Sequence, residues 1–161
     1  MKQRIAVMIG LVLGICSFST ISAQEFDRSS FYKVFANGKV ADINAEIDHL
    51  RSTGSNGKEA FEGSLLMKKA GLSGSPAEKL SLFKSGRKKL EASIKSDDSN
   101  AEYRFLRFVI QENAPGIVNY RENLQEDLSF IRKFFKSFPQ VVQNAITDYS
   151  KKSKLLHPAD L

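Results

Sequence analysis

The chain has 161 residues, of which 26% are charged and 42% hydrophobic, with a net charge of +6 and a single cysteine. So mild a charge, with no recognisable nucleic-acid module beside it, argues against a nucleic-acid partner. One cysteine cannot form an internal disulfide, so burial has to hold the fold together.

Lys2 and Arg4 precede the apolar run Ile5 to Ile15, the order of a charged n-region and a hydrophobic h-region. That run is too short to cross a bilayer, which takes roughly 20 apolar residues, and Ser17, Ser19, Thr20 and Ser22 follow it. Ile21-Ser22-Ala23 offers a small residue for cleavage, so residues 1–23 are expected to be a removable signal peptide with Gln24 as the new N-terminus. Leu13-Gly14-Ile15-Cys16 resembles a lipoprotein cleavage box. The branched Ile15 stands where Gly, Ala or Ser is usual, so Cys16 is read as an ordinary h-region residue.

The expected product is exported, periplasmic or secreted. It keeps 138 residues, no cysteine, and 22 basic against 18 acidic side chains. A chain of that size buries a little under about 70% of its unfolded surface, enough for one core. Residues 24–161 are therefore expected to form a single domain.

Helical periods run through that domain, and its four prolines fall where helices begin or end. Phe31, Val34 and Phe35 predict a short first helix, stopped by Asn37-Gly38 in a left-handed turn. Val40, Ile43, Ile47 and Leu50 repeat at steps of three and four, which predicts a second helix. A third is expected over about 58–70, carrying Phe61, Leu65 and Leu66. Ser75-Pro76-Ala77-Glu78 places an N-cap, a proline at the first helical position and a glutamate at the third, which predicts a helix from Pro76 to about Lys95.

Ser99 or Asn100 caps the next helix, 101–113, which stops ahead of Pro115. A longer helix is expected over 119–137, with Tyr120, Leu124, Leu128, Ile131, Phe135 and Phe138 as its stripe. Pro139 opens the last helix, whose end carries Lys151, Lys152 and Lys154 against the negative end of its dipole. The tail 157–161 is expected to fray. Short loops make neighbours antiparallel, so the fold class is all-α: helical hairpins in a tetratricopeptide-like stack, or a compact orthogonal bundle of six to seven helices.

Two resemblances bear on this. Phe83 to Tyr103 (FKSGRKKLEASIKSDDSNAEY) resembles the second helix of a tetratricopeptide repeat running through its turn into the next repeat. The family usually has alanine near Leu90 and proline where Asp98 stands, and the likeness covers about one repeat. Phe61 to Leu72 (FEGSLLMKKAGL) and Glu102 to Pro115 (EYRFLRFVIQENAP) are similar to segments of small exported helical proteins of Gram-negative bacteria. That implies an envelope location and no particular activity.

No residue pattern points to catalysis, a metal or a cofactor. His49 and His157 are far apart, without metal-ligand spacing around either, and they leave serine chemistry without a base. Asp97-Asp98 reads as a turn. Two charges fall inside apolar stripes: Arg87, beside a Gly86 that removes bulk for close packing, and Asp127. They are expected to meet across the core, because a buried charge needs a partner. On helix 101–113, Arg104, Arg107, Phe108 and Gln111 share the side opposite Phe105, Leu106, Val109 and Ile110. Arginine beside an aromatic is how an interface hot spot looks; the alternative places Phe108 under a neighbouring helix.

These residues point to an exported, non-catalytic helical module that binds a protein or peptide in the cell envelope through a groove near Arg104, Arg107, Phe108 and Gln111. One rival is contact with an anionic membrane surface through Ile131 to Phe138 and the Lys151 to Lys154 cluster, which requires Lys133 and Phe134 to be exposed together. The other is an enzyme of unknown type, which requires a closed pocket holding a strongly perturbed acid.

Overall fold

The structure, a computed structural model, describes residues 26–161; the signal-peptide reading of residues 1–23, with Cys16, lies outside the described residues. Seven α-helices and no strand occur among those described: α1 (Arg28–Asn37), α2 (Val40–Ser52), α3 (Lys58–Leu72), α4 (Pro76–Ser96), α5 (Ala101–Asn113), α6 (Leu124–Phe134) and α7 (Gln140–Ser150). Short 3-10 turns follow at Gly116–Val118, Phe135–Ser137 and Pro158–Asp160. The all-α class is as the periodicity requires, and the helices pack as one bundle.

Local chemistry places most boundaries. The Asp27 carboxylate accepts from the backbone N–H groups of Ser29 and Ser30 (2.8 and 3.2 Å), satisfying two donors that the first turn of α1 leaves free. Asn100 does the same for α5 through the N–H of Tyr103 at 3.2 Å. Ser75 caps α4 by accepting from the Glu78 N–H at 3.4 Å, with Pro76 at the first helical position. Gly38 departs from expectation. Its φ of −63° is extended, not left-handed, and its need for glycine is steric, since a Cβ there would meet the Val34 carbonyl oxygen at 2.6 Å.

α3 and α4 form an antiparallel hairpin about the turn at 73–75. Its register is set at Gly63 and Gly86, where the two backbones approach so closely that a Cβ on either glycine would fall within 2.7 Å of the other's carbonyl oxygen. Phe83, Leu90 and Ile94 line the inner face of α4. Each contributes about 1.5–3 kcal/mol by leaving water. α3 is buried from Ala60 through Met67, and α5 buries eight of its residues, so these two helices are the centre of the bundle.

The expected helix 119–137 is shorter. Asn119 sits in the left-handed region (φ 42°) and α6 begins only at Leu124. Tyr120 matched the apolar stripe because it is buried, yet it is buried from a turn, edge-on to Phe83 with ring centroids 5.7 Å apart. The tail is likewise not frayed. Leu156 is fully buried, and Asp160 receives the Arg132 guanidinium at 2.6 Å and the His157 N–H at 2.8 Å.

Candidate functional site

The four residues expected to face a partner are instead inside the protein. Phe108 and Gln111 have no exposed surface, and Arg104 and Arg107 keep 8% and 5%. The groove beside them is occupied by the chain itself: α6 lies across α5, and its first turn presents Glu126 and Asp127 to the two arginines. Arg107 grips Asp127 with two hydrogen bonds of 2.7 Å, from Nε and Nη2. Arg104 reaches Glu126 at 2.7 Å and Asp127 at 3.3 Å, and its guanidinium lies 4.4 Å from the Phe130 ring centre. Gln111 bonds Asn123, and Phe108 meets Tyr149 edge-on with centroids 6.2 Å apart. Arginine and aromatics do form an anchor here, but for an internal helix.

Asp127 is buried and paired, but Arg87 is not its partner. Arg87 stays partly exposed, 3.6 Å from the Glu122 carboxylate and 4.5 Å above the Tyr120 ring. The hairpin of α4 and α5 brings Glu91 to Arg107 at 3.0 Å, and α6 then lays Asp127 on the same guanidinium. Burial pushes the Asp127 carboxyl up, and the hydrogen bonds from Arg107 oppose that push.

Several carboxylates act as staples whose partners the sequence did not indicate. Glu102 accepts from Arg28 Nε (3.2 Å) and from the Tyr32 hydroxyl (3.0 Å), tying α5 to α1; its burial raises the carboxyl above the usual range against the pull of Arg28. Glu112 accepts from the backbone N–H groups of Lys154 and Leu155 (2.8 and 3.1 Å) and from the Ser153 and Tyr149 hydroxyls, anchoring the end of α7. Glu62 receives Arg51 from α2 at 2.7 Å and Lys89 from α4 at 3.1 Å. The available signal was spacing: Glu62 precedes Leu65 and Leu66 by three and four residues, as Glu102 precedes Phe105 and Leu106, which places both on apolar faces.

Burial pushes Glu62 up, but Arg51 and Lys89 outweigh it and hold the carboxyl below the ordinary value of 4.5. A carboxylate with a depressed folded-state pKa stabilises the fold above its unfolded pKa, and that contribution is lost as pH falls through the folded value. A Glu62→Gln variant is therefore expected to be less stable than the parent at pH 7. The gap should narrow as pH drops below about 4.5, as followed by urea midpoints at a series of pH values. A gap independent of pH would mean that Glu62 is not ionised in the pair.

A cleft of about 1550 Å³ is bounded by α1, the C-terminal end of α3, the first half of α4, the end of α5 and α7. Its floor includes Phe35, Phe83, Phe105 and Ile110, and three apolar side chains stand out at its walls: Ile117 at 93% exposure, Leu80 at 50% and Leu72 at 48%. Lys33, Lys68, Lys79, Lys84, Lys152 and Lys154 line it, and none of these forms an ion pair among the described residues. The two lining acids are engaged, Glu112 as above and Asp148 with Lys151 at 2.7 Å. Burial, and then the charge of Lys152, lower the pKa of Lys68, whose ammonium donates to the Ala36 carbonyl at 3.0 Å.

Elsewhere, Lys133 is exposed, but Phe134 is half-buried against Phe130, with centroids 4.5 Å apart. No described helix is long and apolar enough to cross a membrane. Set against known proteins, the chain matches no family model, no curated protein and no solved structure.

Proposed function

We propose that the protein is an exported, non-catalytic helical module that binds a protein or peptide partner in the cell envelope, and that the cleft, in place of the buried Arg104–Gln111 face, is its binding surface. The observation that carries this reading is the exposure of Ile117, Leu80 and Leu72 around one cleft. Apolar side chains gathered in one place mark an interaction site more often than singly scattered ones. The two carboxylates of the cleft are committed within the fold, since the oxygens of Glu112 are taken up by the tail and Asp148 is paired with Lys151. The half-burial of Phe134 weakens the membrane-surface reading, which needs that ring in the lipid.

The test is a photo-crosslinking side chain at position 117, on the cleft, and a control at position 95, which is exposed on α4 outside it. In producing cells, position 117 is expected to give protein adducts of defined mass and position 95 none of that mass. The same preparation should show a mature chain beginning at Gln24 without lipid. No adduct at 117, or identical adducts at both positions, would overturn the binding reading. Acylated Cys16 would overturn simple export.

A further inference from the structure

The cleft combines an apolar floor with an excess of one charge, and the two together narrow what it can hold. Six lysines that form no ion pair among the described residues face two acids that are already bonded elsewhere, although the mature chain as a whole is expected to carry only four more bases than acids. Four of the eighteen acids, Glu62, Glu91, Glu102 and Asp127, pair with bases on other helices away from the cleft. No ion pair among the described residues reaches a cleft lysine. Charges of one sign gathered in a groove with low-dielectric walls repel one another and focus a field that attracts the opposite charge.

Size and distribution then separate the kinds of anion. Small-molecule sites occupy about 300–1000 Å³, and this cleft is larger at about 1550 Å³. The lysines come from separate elements: Lys33 from α1, Lys68 from α3, Lys79 and Lys84 from α4, and Lys152 and Lys154 from beyond α7. A single phosphate or carboxylate head group would meet one end of that arrangement and leave the rest unpaired. The wall supplied by α4 runs from Pro76 to Arg87, about 16 Å at 1.5 Å per residue, or three helical turns. Along it, Leu80 and Phe83 alternate with Lys79, Lys84 and Arg87. Such a wall complements a helix that carries its own apolar stripe with acids along both edges.

We propose that the cleft receives an acidic amphipathic helix of a partner protein, whose apolar side chains cover Leu72, Leu80 and Ile117 and whose carboxylates meet the lysines at the rim. This rests on the reading of the cleft as the protein's binding surface. The contacts divide the work. Apolar burial supplies the affinity, and the lysines select the sign of charge and raise the association rate, so binding weakens as salt screens the rim.

The test uses the purified protein and three synthetic peptides of about 18 residues, or five turns. One is a helix with a leucine stripe and glutamate on the remaining positions, one replaces every glutamate by lysine, and one scrambles the acidic sequence so that the stripe is lost. Binding is read by fluorescence anisotropy, with vesicles of phosphatidylglycerol as competitor. The acidic amphipathic peptide is expected to bind at least about tenfold tighter than either of the others, since a few interfacial charge pairs are worth that much. A Lys79→Glu, Lys84→Glu variant with an unchanged circular dichroism spectrum should lose at least about tenfold of that affinity. Ile117→Asp should weaken it as well. Equal binding of the lysine peptide or of the scrambled peptide would overturn the proposal. Displacement of the peptide by the vesicles, with direct vesicle binding abolished by the same lysine changes, would overturn it in favour of a lipid surface. A protein adduct at position 117 without acidic-peptide binding would leave the cleft as a binding surface for a partner of other chemistry.

Discussion

A Gly86→Ala substitution is expected to destabilise the protein by about 2 kcal/mol or more, although alanine is the better helix former. In an open helix the exchange gains up to about 1 kcal/mol. At position 86 the added methyl would lie 2.4 Å from the Gly63 carbonyl oxygen and 3.0 Å from the Met67 backbone nitrogen. Both are backbone atoms and cannot rotate aside, so α3 and α4 must separate along the interface that organises the bundle. Overpacking of this kind costs about 1–3 kcal/mol, occasionally more, and a clash against backbone lies at the upper end. Gly71→Ala is the control, because nothing lies within 4 Å of a Cβ there. It should be neutral or stabilising by a few tenths of a kcal/mol. Urea midpoints of the two variants should therefore move in opposite directions, or one should fall while the other stays. A raised midpoint for Gly86→Ala would show that the helices do not cross at this pair.

Removing the carboxylate of Asp127 is expected to cost about 3–5 kcal/mol, the range for breaking a buried ion pair from one side. Asp127 is fully buried and holds two 2.7 Å bonds from Arg107 and one of 3.3 Å from Arg104. Without it the Arg107 guanidinium keeps only Glu91, at 3.0 Å. Whole domains are stable by only about 5–15 kcal/mol, so Asp127→Leu should be poorly expressed or lose a large part of its denaturation midpoint. Arg107→Met should be similarly damaging. The double variant should lose much less than the sum of the two, because an apolar pair leaves no stranded charge. A double-mutant cycle therefore should give a coupling well above about 0.5 kcal/mol, the limit for independent sites. Additive losses would mean that the two side chains are not paired.

These two results probe different degrees of legibility. Gly86 could be marked from the sequence because a glycine in the middle of an apolar stripe has a packing reason to be there. Its counterpart Gly63 could not be named, since nothing within α4 says which helix lies opposite. Asp127 was marked by the same wheel logic, and its partner was misassigned to Arg87. Phe108 shows the limit most clearly. A second apolar position on α5 implied that something covers it, and the sequence could not say whether that was another molecule or the protein's own α7.

By itself the sequence determined the all-helical class, the starts of α4 and α5, and the burial of Asp127. All of these depend on contacts within about four residues of one another: the 3.6-residue period, the capping side chain, the proline at a first turn. Only the tertiary structure decided which charges pair. It set Arg107 with Asp127, 20 positions apart, Arg28 with Glu102 across 74, and Glu112 with the backbone at 154, across 42. Those choices follow from the register and crossing of packed helices, and local periodicity carries no information about either. The cleft arises in the same way. Its lysines belong to segments that are remote in sequence, and they become one charged surface only because the packing of the helices brings those segments to one cleft.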